Sequence, residues 1–253
     1  MGKNKIRIKS PEEIQAIKKA CSIVAWVLAE VAKTVEPGIT TEDLDKLAEK
    51  LIRSKKADPV FIGYRGYRHA TCISVNNEIV HGIPGPKVIK AGDIVGIDVG
   101  AKLNGYCGDN AATYAVGKID KKLTKLLRAG KKALMAGIKQ ARAGNHLGDI
   151  SSAIERSSRT SGFTVVRDLY GHGIGKDLHE DPLIPNYGNP GEGPELKPGM
   201  TLCIEPMLNT GGSRIKTLAD GWTVVTQDNG FSCHFEHTIV VTNGDPEIIT
   251  ING

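Results

Sequence analysis

Five side chains that could bind metal ions are spread along the chain, in the order Asp98, Asp109, His172, Glu205 and Glu236. Four of them are carboxylates, which repel one another at close range unless cations hold them together. Three of the acids lie in or beside apolar runs, at 94–98, 201–205 and 236–241. Because an acid in an apolar strand is costly to bury without a partner or a metal ion, the pattern predicts a two-metal hydrolase.

The first two acids flank a strong turn signal. The dipeptide Asn104-Gly105 favours a two-residue β-hairpin. A turn at this point pairs residue 98 with residue 111, and it places Asp98 and Asp109 on the same face of the ribbon. Asp109 or Glu236 could then bridge two ions. Oxygen ligands with one histidine suit Mn, Fe or Co at least as well as Zn, so the donor set does not select the metal.

The helices that must position these residues occur twice. A capping box at Ser10 begins one predicted helix, Pro37-Gly38 ends it, and a second helix follows Thr41. The same helix–break–helix pattern recurs over residues 120–160. Its break glycine, Gly144, stands 106 residues after Gly38. Helix–break–helix is a common pattern, so the helices alone do not establish a repeat.

The strands repeat as well, because residues 91–98 match residues 198–205 at an offset of 107. The match pairs Asp98 with Glu205, and Asp109 corresponds to Glu236 because each precedes a glycine, Gly117 or Gly244, by eight residues. Each half is thus expected to contribute one acid at a strand end and one in the returning strand. This self-similarity predicts an α+β fold in which two pseudo-symmetric α/β halves surround a shared dinuclear site. We predict a single catalytic domain over 1–253, with halves at about 10–117 and 118–250.

The composition is that of an ordinary globular protein, with 253 residues, 40% hydrophobic and 24% charged. No apolar run approaches the roughly 20 residues that span a bilayer, and residues 1–5 lack the apolar segment of a secretory signal. The five cysteines form no C-x-x-C pair, which favours reduced thiols over disulfides or a zinc knuckle. We therefore expect a cytoplasmic protein with no membrane partner. The net charge of +5 is interpreted as solvated lysine-rich helix faces rather than a nucleic-acid surface.

Three common catalytic or binding motifs are absent from the sequence. Neither His179-Glu180 nor the segment 234–237 forms H-E-x-x-H, and no G-x-S-x-G is present. The segment 171–177 lacks the hydroxyl residue after Gly-Lys that a phosphate loop requires.

Several motifs together resemble the methionine aminopeptidase family: CISVN at 72–76, VHGIP at 80–84, GDIVGIDV at 92–99, GHGIG at 171–175 and IEP at 204–206. The resemblance covers essentially the whole chain and implies the pita-bread fold. Only 30 residues separate Glu205 from Glu236, which is similar to the type 1 enzymes that lack a late helical insertion. The chain is most similar to the short, bacterial form of that type.

The resemblance implies a role for each candidate ligand. Asp98 would chelate one of two divalent ions (Co, Mn, Fe or Zn). Asp109 and Glu236 would bridge both ions. His172 and Glu205 would complete the binding site of the second ion. Glu205 would also act as the acid–base partner of the attacking water.

The resemblance also implies a substrate pocket. His179 would stabilise the oxygen of the scissile carbonyl, and His81 would contact the amide nitrogen. The methionine side chain would lie among six residues, namely Phe61, Tyr64, Tyr67, Cys72, Leu178 and Trp222. At two of these positions the chain departs from the family, which often has cysteine in place of Phe61 and phenylalanine in place of Leu178. A sodium or potassium site is implied at Asn76 and Ser232.

The implied reaction is removal of the initiator methionine from nascent polypeptide N-termini with a small second residue. A monomer with weak ribosome association is expected. One alternative is a proline-directed aminopeptidase or prolidase of the same fold, although those enzymes carry a large N-terminal domain. Another is a non-catalytic pita-bread binding protein, which the retention of all five ligands disfavours.

Overall fold

The computed structural model describes residues 6–251. The predicted absence of a secretory signal concerns residues 1–5, which lie outside this range. Within it there are four α-helices: α1 Pro11–Ala32, α2 Thr41–Ser54, α3 Lys121–Ile138 and α4 Leu147–Thr160. None of the helices in the described part of the chain combines the length and apolar character needed to cross a membrane.

Fifteen strands are formed by the described residues. In chain order they are β1 Asp58–Pro59, β2 Thr71–Val75, β3 Glu78–Val80, β4 Ile94–Leu103, β5 Tyr106–Ala115, β6 Thr164–Val165, β7 Tyr170–Gly173, β8 Glu180–Pro185, β9 Thr201–Ile204, β10 Met207–Asn209, β11 Ile215–Thr217, β12 Val224–Thr226, β13 Ser232–His234, β14 Glu236–Val240 and β15 Glu247–Ile248. Nine of them form the main sheet, in which β1, β4, β5, β14, β9, β7 and β8 follow one another, with β2 beside β4 and β15 beside β14.

The first helix begins where its sequence predicts. The Ser10 side chain accepts from the backbone N–H of Glu13, and the Glu13 carboxylate accepts from the Ser10 N–H at 3.0 Å. The predicted end at Pro37 is wrong, because the helix stops at Ala32. The chain tightens there into i to i−3 hydrogen bonds, and the Thr34 hydroxyl donates to the carbonyl of Val31 at 2.8 Å.

The predicted hairpin is confirmed. Asn104 and Gly105 both have positive φ, 49° and 85°, as a type I′ turn requires. The ladder between β4 and β5 pairs Asp98 with Ala111, which is the predicted register. It continues without a break to the turn, so Asp98 lies in the middle of β4. The expectation that each half carries an acid at a strand end is therefore wrong for Asp98.

The sheet has a helical face and a site face, separated by the alternation of side chains along each strand. Val95, Ile97 and Val99 of β4 pack in one apolar cluster with α1 and α2, so the intervening Asp98 projects to the other side. On β5, Gly108 lies against α1 so closely that an added Cβ would come within 2.6 Å of a helix backbone nitrogen. The following residue, Asp109, therefore faces away from α1.

The second half repeats this arrangement. Leu202 and Ile204 of β9 share an apolar cluster with α3 and α4, which directs the alternate residues to the site face. In the main sheet β4–β5 and β14–β9 lie side by side, with β5 antiparallel to β14. The first predicted half, with β4 and β5, and the second, with β14 and β9, are therefore joined in one sheet through the β5–β14 pair. The assignment of 1–253 as one catalytic domain stays a prediction.

Candidate active site

One cavity of about 320 Å³ opens on the site face of the sheet. Its lining includes all five candidate metal ligands, both candidate catalytic histidines and the six candidate pocket residues: Asp98, Asp109, His172, Glu205, Glu236, His81, His179, Phe61, Tyr64, Tyr67, Cys72, Leu178 and Trp222. These residues come from positions 61 to 236, so only the tertiary fold brings them together.

The candidate ligands cluster around His172. The Nε2 atom of this residue lies 3.5 Å from Glu205 Oε1 and 3.8 Å from Asp109 Oδ2. Ligand atoms of Asp109, His172, Cys203 and Glu236 all lie within 4.8 Å of one another, and all four residues are buried. Such a cluster is compact enough for its members to share a cation.

A backbone contact sets the orientation of the His172 ring. Its Nδ1 lies 2.9 Å from the carbonyl oxygen of Gly173, which can only accept a hydrogen bond. Nδ1 therefore carries the proton, and Nε2 presents a lone pair to the acids. Burial lowers the pKa of His172 to about 4, which keeps the imidazole neutral at pH 7. A neutral imidazole held by its other nitrogen is the form that binds metal ions.

The buried carboxylates lack sufficient hydrogen-bond donors among the described residues. Asp98 Oδ1, Asp109 Oδ1 and Glu236 Oε1 are buried without a hydrogen-bond partner. Burial raises the pKa of Asp98 to about 6. Burial first, and then the neighbouring acids, raise the pKa values of Asp109 and Glu236 well above the ordinary range. Unpaired acid oxygens that converge beside a free imidazole lone pair fit a divalent cation, which would compensate their buried charge.

The two candidate catalytic histidines line the same cavity. His179 lies in the loop between β7 and β8, with its ring 4.3 Å from that of His172 and 5.1 Å from that of Tyr64. His81 follows β3 with a positive φ of 57°, a backbone conformation that is unfavourable for residues other than glycine. Burial lowers the pKa of His81 to about 4 and that of His179 to about 3, so both are neutral near pH 7.

An apolar wall adjoins the acids. Phe61, Tyr67, Cys72 and Leu178 are buried in one cluster, with Tyr64 and Trp222 packed against it. The rings of Tyr67 and Trp222 meet edge to face at 4.9 Å, and the Tyr67 hydroxyl donates to a backbone carbonyl at 2.9 Å. The Phe61 ring lies over Gly100, where an added Cβ would be only 2.5 Å from the ring. Phe61 and Leu178, the two departures from the family pattern, thus both form part of this wall.

The residues of the predicted sodium or potassium site lie outside this cavity. Asn76 accepts from the Ile94 N–H at 3.0 Å and donates to Asp93 at 2.8 Å through its side chain. Its backbone carbonyl accepts from the Ser232 N–H at 2.9 Å. Asn76 and Ser232 are therefore adjacent, and the assignment of a monovalent cation to them stays a prediction.

Two residues that lie beside the candidate metal ligands, His234 and Cys203, were not predicted from the sequence. His234 lines the cavity, and its Nε2 lies 3.4 Å from Glu205 Oε2. Cys203 belongs to the compact ligand cluster through its thiol. His234 precedes Glu236 by two residues, and Cys203 precedes Glu205 by two. Because side chains two apart in a strand share a face, this spacing was the available signal for both.

Comparison with known proteins gives a family for the chain. The family model described as Metallopeptidase family M24 matches residues 15–243. Methionine aminopeptidase 1 of Bacillus subtilis is 51% identical over 242 residues, which is 96% of this chain and 98% of that protein. The methionine aminopeptidase of Clostridium acetobutylicum is 46% identical over 247 residues, covering 97% and 99% of the two chains.

Solved structures give the same result for the fold. A crystal structure of methionine aminopeptidase from Thermotoga maritima has a TM-score of 0.97 and 48% identity, and it covers 98% of this chain and 100% of that one. The prolidase of Pyrococcus furiosus shares the fold at a TM-score of 0.79 and 24% identity, but the match covers 97% of this chain and only 66% of the prolidase. The predicted pita-bread fold, of mixed helix and strand, is confirmed.

Proposed function

The chain belongs to metallopeptidase family M24, and from this premise we propose that it removes the N-terminal methionine from nascent polypeptides whose second residue is small. The observation that carries the proposal is the placement of an apolar wall beside a cluster of unpaired acids in a single cavity. The wall suits a flexible thioether side chain, and the acids suit cations that act on the adjacent peptide bond.

We propose that two divalent cations occupy the acid cluster. Asp98 would hold one of them, while Asp109 and Glu236, on adjacent strands, would be shared between both. His172 and Glu205 would complete the binding site of the second cation. The cations, when bound, lower the pKa of water and polarise a carbonyl group. The conversion of unpaired acids into cation ligands would also offset the burial, and then the mutual repulsion, that raise their pKa values.

Three side chains of this protein would then act on protons and developing charge. Glu205 would accept the proton of the attacking water and later deliver it to the leaving amine. His179 is neutral, so it can donate an N–H to the carbonyl oxygen as negative charge develops there. His81, whose ring lies 6.4 Å from that of Trp222, would contact the amide nitrogen.

Other parts of the proposal concern where the enzyme works. We propose that it acts in the cytoplasm as a monomer, on chains that emerge from the ribosome, with weak ribosome association.

The test is hydrolysis of three peptides by metal-free protein to which Mn, Co, Fe or Zn is added back. The proposal expects metal-dependent cleavage of Met-Ala-Ser but not of Met-Leu-Ser or Ala-Pro-Ser. Cleavage of Ala-Pro-Ser alone would instead identify a proline-directed enzyme. No cleavage with any metal would favour a binding protein.

A further inference from the structure

We propose that Lys9 and Glu180 are positioning residues for His179, so that a segment of the N-terminus sets the geometry of the oxygen-stabilising group. The inference rests on the function proposed for this chain and on the role proposed for His179. It follows from the contacts of the loop that joins β7 to β8, which carries both Leu178 and His179 into the cavity.

The carboxylate of Glu180 holds this loop in shape from the residue directly after His179. Its Oε1 accepts from the backbone N–H of Lys176 at 3.0 Å and from that of Asp177 at 3.4 Å. Both bonds fold the loop back on itself. The loop backbone is anchored once more where the carbonyl of Gly175 accepts from the Cys107 N–H at 2.8 Å.

The second oxygen of the same carboxylate connects the loop to the N-terminal segment. Glu180 Oε2 lies 2.8 Å from Lys9 Nζ, and the two side chains are only 7% and 5% exposed. Lys9 is itself fixed by its backbone N–H, which donates to the carbonyl of Gly199 at 2.9 Å. One residue later, Ser10 begins α1 with its capping box. The ion pair therefore links a rigid helix start to the His179 loop.

The pair packs closely against the loop backbone at Gly175. A Cβ added to Gly175 would lie 2.5 Å from Glu180 Oε1 and 2.9 Å from Lys9 Cε. The glycine thus lets the lysine stem and the carboxylate approach the loop backbone. Burial opposes ionisation of Glu180, but the bonds from Lys9 and the loop backbone outweigh it and lower the pKa of this carboxyl.

The linkage has a consequence for catalysis rather than for stability alone. Close to the loop, the described residues leave a cavity of about 670 Å³ that is lined by Lys9, Glu180 and His179 among others. The loop therefore borders open space as well as protein, and the ion pair limits its freedom to shift towards that space. A displacement of about 1 Å in a catalytic group can reduce turnover by about a hundredfold.

The experiment compares kcat and KM for Met-Ala-Ser in Lys9→Met, Lys9→Arg and Glu180→Gln, with Lys18→Met as the matched control. Lys18 also lies near the N-terminus and pairs with Glu247, but it is partly exposed and lies within α1 rather than before it. We expect Lys9→Met to lower kcat by about tenfold to a hundredfold with KM changed little. Lys9→Arg should restore most of the loss, and Lys18→Met should behave as the parent protein.

Two further measurements separate positioning from a general loss of structure. In a His179→Ala background, Lys9→Met should cause no further loss of kcat, because it acts through the missing ring. The imidazole NMR signals of His179 should shift in Lys9→Met and return in Lys9→Arg. If Lys9→Met fails to fold, Lys9→Met/Glu180→Gln, which leaves neither charge unpaired, replaces it in each comparison.

Three results would overturn the inference: an unchanged kcat in a folded Lys9→Met protein, an equal loss of kcat in the His179→Ala background, or unmoved His179 signals. Failure of the proposed function would look different. In that case the parent protein itself would not cleave Met-Ala-Ser with any metal, while the NMR comparison would still report whether the pair positions the ring.

Discussion

Replacement of Asp98 by asparagine is expected to stabilise the metal-free protein while it removes one of the proposed cation ligands. The carboxylate lies in the middle of β4, and its Oδ1 is buried without a hydrogen-bond partner. Burial raises the pKa of Asp98 from 3.8 to about 6. The folded state therefore favours the protonated acid, which an asparagine side chain resembles in shape and charge.

The magnitude follows from this pKa. Each tenfold change in an ionisation constant corresponds to about 1.4 kcal/mol, so ionised Asp98 costs the metal-free fold about 3 kcal/mol at neutral pH. Because the folded pKa is raised, the stability associated with this group is complete below pH 4 and is lost as the pH rises through 6. For a chain of this length, about 3 kcal/mol corresponds to roughly 6–12 °C in Tm.

The assay is thermal unfolding at pH 4 to 8 in excess chelator and again with added Mn²⁺. In chelator at pH 7.5, Asp98→Asn should unfold at the higher temperature, and the difference should shrink steadily as the pH falls towards 4. With Mn²⁺ the order should reverse, because a cation that binds only the folded state stabilises the protein with intact ligands. The exposed Asp58→Asn on neighbouring β1 is the control and should change neither curve. A less stable Asp98→Asn protein in chelator would refute the reasoning.

The remaining predictions concern single contacts. Asp109→Ala should abolish turnover of Met-Ala-Ser while circular dichroism shows a retained fold, and full activity would contradict the shared-ligand role. His179→Ala should lower kcat far more than it changes KM, since oxyanion stabilisation acts in the transition state. Gly100→Ala should raise KM for methionine peptides through displacement of the Phe61 ring, and circular dichroism should be unchanged. Burial lowers the pKa of His237 from 6.5 to about 4. The stability that neutral His237 contributes is therefore complete above pH 6.5 and should be lost as the pH falls towards 4. In chelator, the Tm of His237→Asn should fall less between pH 6.5 and pH 4 than the Tm of the parent protein.

The parts of the fold that the sequence predicted are those fixed by local chemistry. The capping box at Ser10 and the hairpin at Asn104-Gly105 each depend on a few neighbouring residues, and both were correct. The end of α1 was wrong because a proline only sets the last point at which a helix must stop. Competing turn hydrogen bonds at Lys33 and Thr34 ended it sooner.

The candidate site was predicted from residue types and family motifs, but its internal contacts depend on long-range packing. The contact between His234 and Glu205 requires β13, β14 and β9 to pack together, whereas the two-residue spacing indicates only that His234 shares a face with Glu236. Lys9 and Glu180 are separated by 171 positions, and neither belongs to a recognisable motif. Such pairs become visible only when the distance between two side chains is known.

The unpaired acids give a physical reason for the doubled architecture. One half alone supplies two carboxylates on adjacent strands, which could hold a cation but would leave it open to water. When β5 and β14 pair, Glu236 comes opposite Ala111, and the acids of the two halves face one another across a single ladder. The metal-free fold must then hold two buried and two half-buried acids with raised pKa values, a cost that a cation at their centre would remove. Stability and the proposed activity would therefore depend on the same bound ions, and chelation should lower the Tm of the parent protein as it abolishes cleavage.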